Sequence, residues 1–131
     1  MAEKQLNLTA TDIRVFVPVI NFEQSLRFYT RLGWIVKWKD DENNLAELEM
    51  ADSRFFLQNY YVKDWANNFM FQVTVKDAAA WHTHVSTILA EENFDYARLN
   101  PPKKESYGAI TTHVWDPSGV LIHFSQYLEK A

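Results

Sequence analysis

The side chains here with the widest chemical range are four histidines and one arginine set among valines. His113 and His123 stand on either side of Asp116-Pro117-Ser118-Gly119, a run of turn-forming residues. The segments flanking it, Ala109–Trp115 and Val120–Gln126, read as strands that pair, which would make neighbours of the two imidazoles. Such a pair can hydrogen-bond a ligand, exchange a proton with it, or, together with Gln58, hold a metal; it can equally be two half-buried strand residues. His82 and His84 sit two apart on an expected helix, point to different faces, and are read as solvated. Arg14, in IRVFVPV, either clamps an anionic group of a ligand or pairs internally with Glu47 or Glu49. With no cysteine, disulfides, thiolate catalysis and Cys-ligated metal are excluded. Ser25 and Ser53 have no histidine in a nucleophile pattern, and three glycines leave no glycine-rich phosphate loop.

The elements that position these residues come from an internal repeat. Ile13–Trp34 and Phe69–Leu89 each open with alternating apolar residues, reach Asn21 or Asp77, and change to helical spacing. Asn21 is an N-cap with Gln24 as capping-box partner, and Gly33 ends that helix; Asp77 caps the second. Shorter strand-like runs follow each helix: Trp34–Lys39, Leu45–Met50 and Arg54–Tyr60 in the first half, and Phe94–Leu99, Ala109–Trp115 and Val120–Gln126 in the second. Asn100–Tyr107 reads as a loop. The expected fold is α+β: two paired βαβββ modules, about 11–61 and 68–127 of one 1–131 domain, forming a curved mixed sheet around a cavity with the helices outside.

Strand alternation assigns faces. If Val15, Val17 and Val19 face the helix, then Arg14 and Phe16 face the cavity, with Phe56 and Gln58 beside them. In the second half Met70, Gln72, His113, Trp115 and His123 share that parity. Trp38, Tyr60, Tyr61 and Trp65 are aromatic residues for a cavity wall or a subunit seam. The face reads as aromatic and apolar with sparse polar groups, which suits an organic ligand. A net charge of −4 with scattered Lys and Arg gives no stripe for nucleic acid, and no apolar run is long enough to span a membrane. The opening MAEKQLNLTA lacks a signal-peptide layout, so a cytoplasmic protein is expected.

VINFEQSLRFYTRLGW, FQVTVKDAAAW and DPSGVLIHF, in that order, resemble the signatures of the vicinal oxygen chelate superfamily, the glyoxalase/bleomycin-resistance/dioxygenase fold. The resemblance implies metal-ligand positions at Arg14, at Phe56 or Gln58, at Met70 and at His123. One histidine and a guanidinium do not make a divalent-metal site, so no metal and no cofactor are expected. The character implied is that of the metal-free bleomycin-resistance group: a homodimer binding a small organic compound through Arg14, Phe16, Trp38, Phe56, Gln58, Tyr60, Met70, Gln72, His113, Trp115 and His123. The alternatives are a glyoxalase-type lyase, isomerase or dioxygenase with unusual ligands, and an interaction module with a filled cavity.

Overall fold

The computed structural model describes residues 6–61 and 63–128. The first module runs β1 (Phe16–Pro18), α1 (Phe22–Leu32), β2 (Ile35–Asp40), β3 (Leu45–Met50) and β4 (Ser53–Gln58). A short helix, α2 (Lys63–Asn68), leads into β5 (Met70–Thr74), α3 (Ala78–Glu91), β6 (Arg98–Leu99), β7 (Lys103–Glu105), β8 (Ala109–Trp115) and β9 (Leu121–Tyr127). Both sheets follow one path. In the first, β1 lies parallel to β4 in the order β1-β4-β3-β2; in the second, β5 lies parallel to β9 in the order β5-β9-β8-β6, with β7 also on β8. This is the expected α+β architecture of two related modules, βαβββ in the first and the same with one extra short strand, β7, in the second.

The junctions behave as their residues dictate. Asn21 Oδ1 accepts from Gln24 N at 3.1 Å and Asp77 Oδ1 from Ala80 N at 3.1 Å, satisfying amides with no partner inside the helix. Gly33, at φ +126°, donates its N–H to the carbonyls of Tyr29 and Thr30. The Gln24 side chain does not complete a capping box. It reaches the other module, where its Oε1 accepts from Asp95 N at 2.9 Å. His84, expected to be merely solvated, places Nε2 3.1 Å from the carbonyls of Arg31 and Leu32, so it caps the end of α1 from α3.

Three strand expectations change. Phe94–Leu99 pairs only at Arg98–Leu99, and the expected loop Asn100–Tyr107 contains β7, with Lys103 opposite Thr111. The reason is one long strand, β8, whose outer edge is shared by two short partners; Pro101 and Pro102, lacking N–H donors, separate them. β4 stops at Gln58, leaving Tyr60 beyond the sheet and more than half exposed. The first strand pairs over three residues only, Phe16–Pro18.

One core joins the modules. Phe28, Tyr29, Trp34 and Phe55 of the first meet Phe71 and Phe94 of the second, with ring centroids 5.3 Å apart for Phe28–Phe94 and 5.6 Å for Phe55–Phe71. Within it, Tyr29 donates its hydroxyl to Asp116 Oδ2 at 2.7 Å. Asp116 Oδ1 accepts from Ser118 N at 2.8 Å and Val120 N at 3.0 Å, shaping the closing turn. Ser118 Oγ then accepts from Ile20 N at 2.9 Å, tying that turn to the start of α1.

Burial raises the Asp116 carboxyl to about 6 from 3.8, although the Tyr29 and backbone donors oppose the rise. A raised folded-state value means that the native chain holds the proton more tightly than the unfolded chain. The stabilisation is therefore full below 3.8 and lost as pH rises through about 6. Asp116 should remove about 3 kcal/mol of unfolding free energy between these limits, at about 1.4 kcal/mol per unit. Asp116→Asn should lack that slope when urea unfolding is compared at pH 4 and pH 7, whatever its absolute stability. His84→Ala should cost about 1 kcal/mol in the same assay through loss of the helix cap.

Candidate functional site

Each sheet turns one face to the helices and leaves the other open, as alternation expects. Val17, Leu48, Leu57, Ile122 and Phe124 are buried on the helix side, and Trp81 of α3 stacks on Phe124 at 4.4 Å. On the open face of the first sheet, register sets Trp38, Glu47, Phe56 and Phe16 in one row and Leu45, Gln58 and Pro18 in the next. Trp38 joins that face because of a β-bulge between Val36 and Trp38, which sets it opposite Glu47. Lys37, within the bulge, lies 3.9 Å from Glu49 and so shares the face.

That first face is not the sparse apolar wall expected. Arg14 pairs with Glu47 and Asp12. Arg54 donates to Glu47 at 2.8 Å and to Glu49 at 2.7 Å, and these partners hold its guanidinium more firmly protonated than usual, Glu49 first. Three cations and three carboxylates cancel across the face. Of the two roles open to Arg14, the internal pair with Glu47 is the one formed. Phe16 and Phe56 stack at 5.0 Å beneath it.

The open face of the second sheet is different in kind. Gln72, His123 and His113 form one cross-strand row, and Met70, Leu121, Trp115 and Arg98 the next. The imidazoles of His113 and His123 have ring centroids 4.8 Å apart, and His113 lies over Trp115 at 6.3 Å. Arg98 caps the stack, its guanidinium 3.9 Å from the centre of the Trp115 ring. Gln72 accepts from the Tyr127 hydroxyl at 3.0 Å. His123 Nε2 is buried with no hydrogen-bond partner among the described residues. Burial of the ring lowers the His123 pKa from 6.5, His113 lowers it further, and Glu105 partly offsets both.

The predicted residues thus divide between two faces. Arg14, Phe16, Trp38, Phe56 and Gln58 lie on one, and Met70, Gln72, His113, Trp115 and His123 on the other; Tyr60 packs on Trp65 at 6.1 Å outside both. Gln58 lies in the first sheet, away from the histidine pair it was to join. Between the sheets, where β1 is too short to cover the start of β4, a cleft of about 370 Å³ opens onto Trp34, Phe55 and Phe71. Its polar lining includes Arg54, Gln72 and Thr74, so of the predicted residues it contains Gln72. Arg98 and the cleft escaped the sequence reading because a two-residue strand has no alternation to read and a gap between sheet edges has no local signal.

The positions implied for a metal do not fit one. Arg14 has no lone pair to give and is already paired with Glu47, and Phe56 has no donor atom. Met70 offers a thioether suited to soft ions, and His123 is a single imidazole.

No protein-family model matches the chain, and no curated protein matches its sequence. Solved structures do match. A bleomycin-binding protein complexed with bleomycin superposes with a TM-score of 0.73 at 20% identity, over 91% of this chain and 100% of that one. A bleomycin resistance determinant encoded on the transposon Tn5 gives 0.74 at 21%, over 91% and 100%. A lactoylglutathione lyase from Agrobacterium tumefaciens gives 0.66 at 11%, over 90% and 95%. The fold is that of the vicinal oxygen chelate superfamily, shared by bleomycin-resistance proteins and glyoxalase-like enzymes. Among the described residues no helix is long and apolar enough to cross a membrane.

The histidine pair makes a direct prediction. In an NMR pH titration His123 should protonate below 6.5, and His113→Ala should move it back toward that value by removing the neighbouring imidazole. Because the folded value is depressed, the contribution of His123 to stability falls as pH drops from 6.5 through its native pKa. An unchanged His123 titration in the variant would contradict the coupling.

Proposed function

We propose that this chain binds and sequesters a small aromatic or amphipathic organic compound without the four-ligand metal centre of the superfamily's enzymes. The carrying observation is the set Arg14, Phe56, Met70 and His123 at the implied ligand positions, with the guanidinium neutralised inside the protein. Large apolar side chains lie uncovered beside these positions. Phe16 is 44% exposed, Trp38 48% and Met70 58%. Two open faces of this kind gain most by closing over a ligand between two copies, which supports a homodimer in which each face is covered by the other chain. The likeness to a structure of a bleomycin-binding protein with bleomycin supports the class of ligand. An interaction module with a filled interior is disfavoured by the open cleft at the module seam.

The test is a thermal-shift screen in EDTA with metal-free bleomycin, aromatic acids and aromatic amines, alongside sedimentation velocity for the dimer. A true ligand at one hundred times its Kd should add about 2.7 kcal/mol. That corresponds to about 10 °C in Tm for a domain of this size. Phe16→Ala and Trp38→Ala should abolish the shift while sparing the fold, since both side chains are largely outside the core. Stabilisation by these compounds, or turnover of them, that appears only with an added divalent ion would refute the reading.

A further inference from the structure

The pair His113–His123 has a geometry that the binding proposal does not use. The two residues are directly opposite on β8 and β9, so the ladder fixes their backbones. Their ring centroids are 4.8 Å apart. A metal about 2.0–2.1 Å from each imidazole nitrogen lies about 3.2 Å from each ring centre. Two rings sharing one ion therefore stand about 4.5 Å apart at a 90° ligand angle and about 5.2 Å apart at the tetrahedral angle. The observed spacing falls between these values. The rings now meet edge to face with planes at 68°, so sharing an ion requires the side chains to turn on backbones that the ladder holds opposite. His113 is half-buried at the open surface. His123 Nε2, a buried ring nitrogen without a hydrogen-bond partner among the described residues, is the second observation that points to a ligand.

We propose that His113 and His123 form a two-point chelate for a late first-row divalent ion, Cu2+ before Ni2+ and Zn2+. The remaining coordination positions face the open surface and are filled by water. The site shares only His123 with the four positions implied by the fold: both ligands belong to adjacent strands of one module, and neither Arg14 nor Met70 takes part. No cluster of three or more His, Asp or Glu able to hold a metal forms among the described residues, so the site offers two imidazoles and does not suit ions that prefer carboxylates. Mg2+ and Ca2+ need several oxygen ligands, and the two imidazoles supply none. The order among the rest follows the affinity of imidazole for late transition ions. The site stands apart from the organic-ligand proposal, which is tested in EDTA, so either can fail alone.

The experiment uses the full chain stripped with EDTA and then freed of it. Isothermal titration with Cu2+, Ni2+, Zn2+ and Mg2+ alone should give one ion per chain for the first three and no binding of Mg2+. Zn2+ should shift the Cε1–H signals of both His113 and His123 in the unmodified protein, and Cu2+ should broaden the same two. His113→Gln and His123→Ala should each lose at least tenfold in Cu2+ affinity, and His82→Ala should lose none. Absence of Cu2+ binding would overturn the proposal. So would binding that leaves the two imidazole signals unmoved, or that survives His113→Gln unchanged.

Discussion

The hydrogen bond from Tyr29 to Asp116 is the contact on which the two halves of this molecule depend. Its donor is in the helix of the first module, its acceptor in the closing turn of the second, and both side chains lie fully out of water. A buried carboxylate without donors costs several kcal/mol, so the turn that supplies two backbone N–H groups and the helix that supplies the hydroxyl are held to one arrangement. Around this point the aromatic side chains of both modules interlock, and Ser118 fixes the entry to the first helix. Phe55 of the first module packs on Phe71 of the second and Phe28 on Phe94, so the two modules share one core.

Joining the modules through their helix-side cores leaves both opposite sheet faces open. The topologies of the two sheets match, yet their chemistry does not. The first carries a chain of ion pairs through Arg14, Glu47, Arg54 and Glu49 above stacked phenylalanines. Such a chain at a half-exposed surface contributes little to stability, but it sets charged groups in fixed places and leaves their sum near zero. The second carries imidazoles, an indole and a guanidinium on that indole, with no ion pair to it among the described residues. A ligand held between two copies would therefore meet a neutral polar wall on one side and an aromatic, nitrogen-rich wall on the other.

The repeat, both helix caps, the parity of the long strands and the pairing of His113 with His123 were legible in the residues alone. Each rests on local chemistry: an Asn or Asp oxygen facing free amides, a period of two along a strand, a Pro-Gly turn that sets the register of its flanks. The role of Arg14 could not be decided that way. Its side chain has a partner 33 residues away, and only the register of β1, β4 and β3 brings Glu47 within reach. Trp38 is a parallel case, placed on the open face by a bulge that no residue at Val36 or Lys37 announces. His84 is solvent-exposed as expected, but its partners are carbonyls of another helix and leave no local signal. The sequence by itself determined the modules and the faces of their strands, because those follow from neighbours along the chain. Tertiary structure alone decided which charges cancel, which aromatics line the seam and which nitrogen is left unpartnered, because these depend on distances between segments that are far apart in sequence.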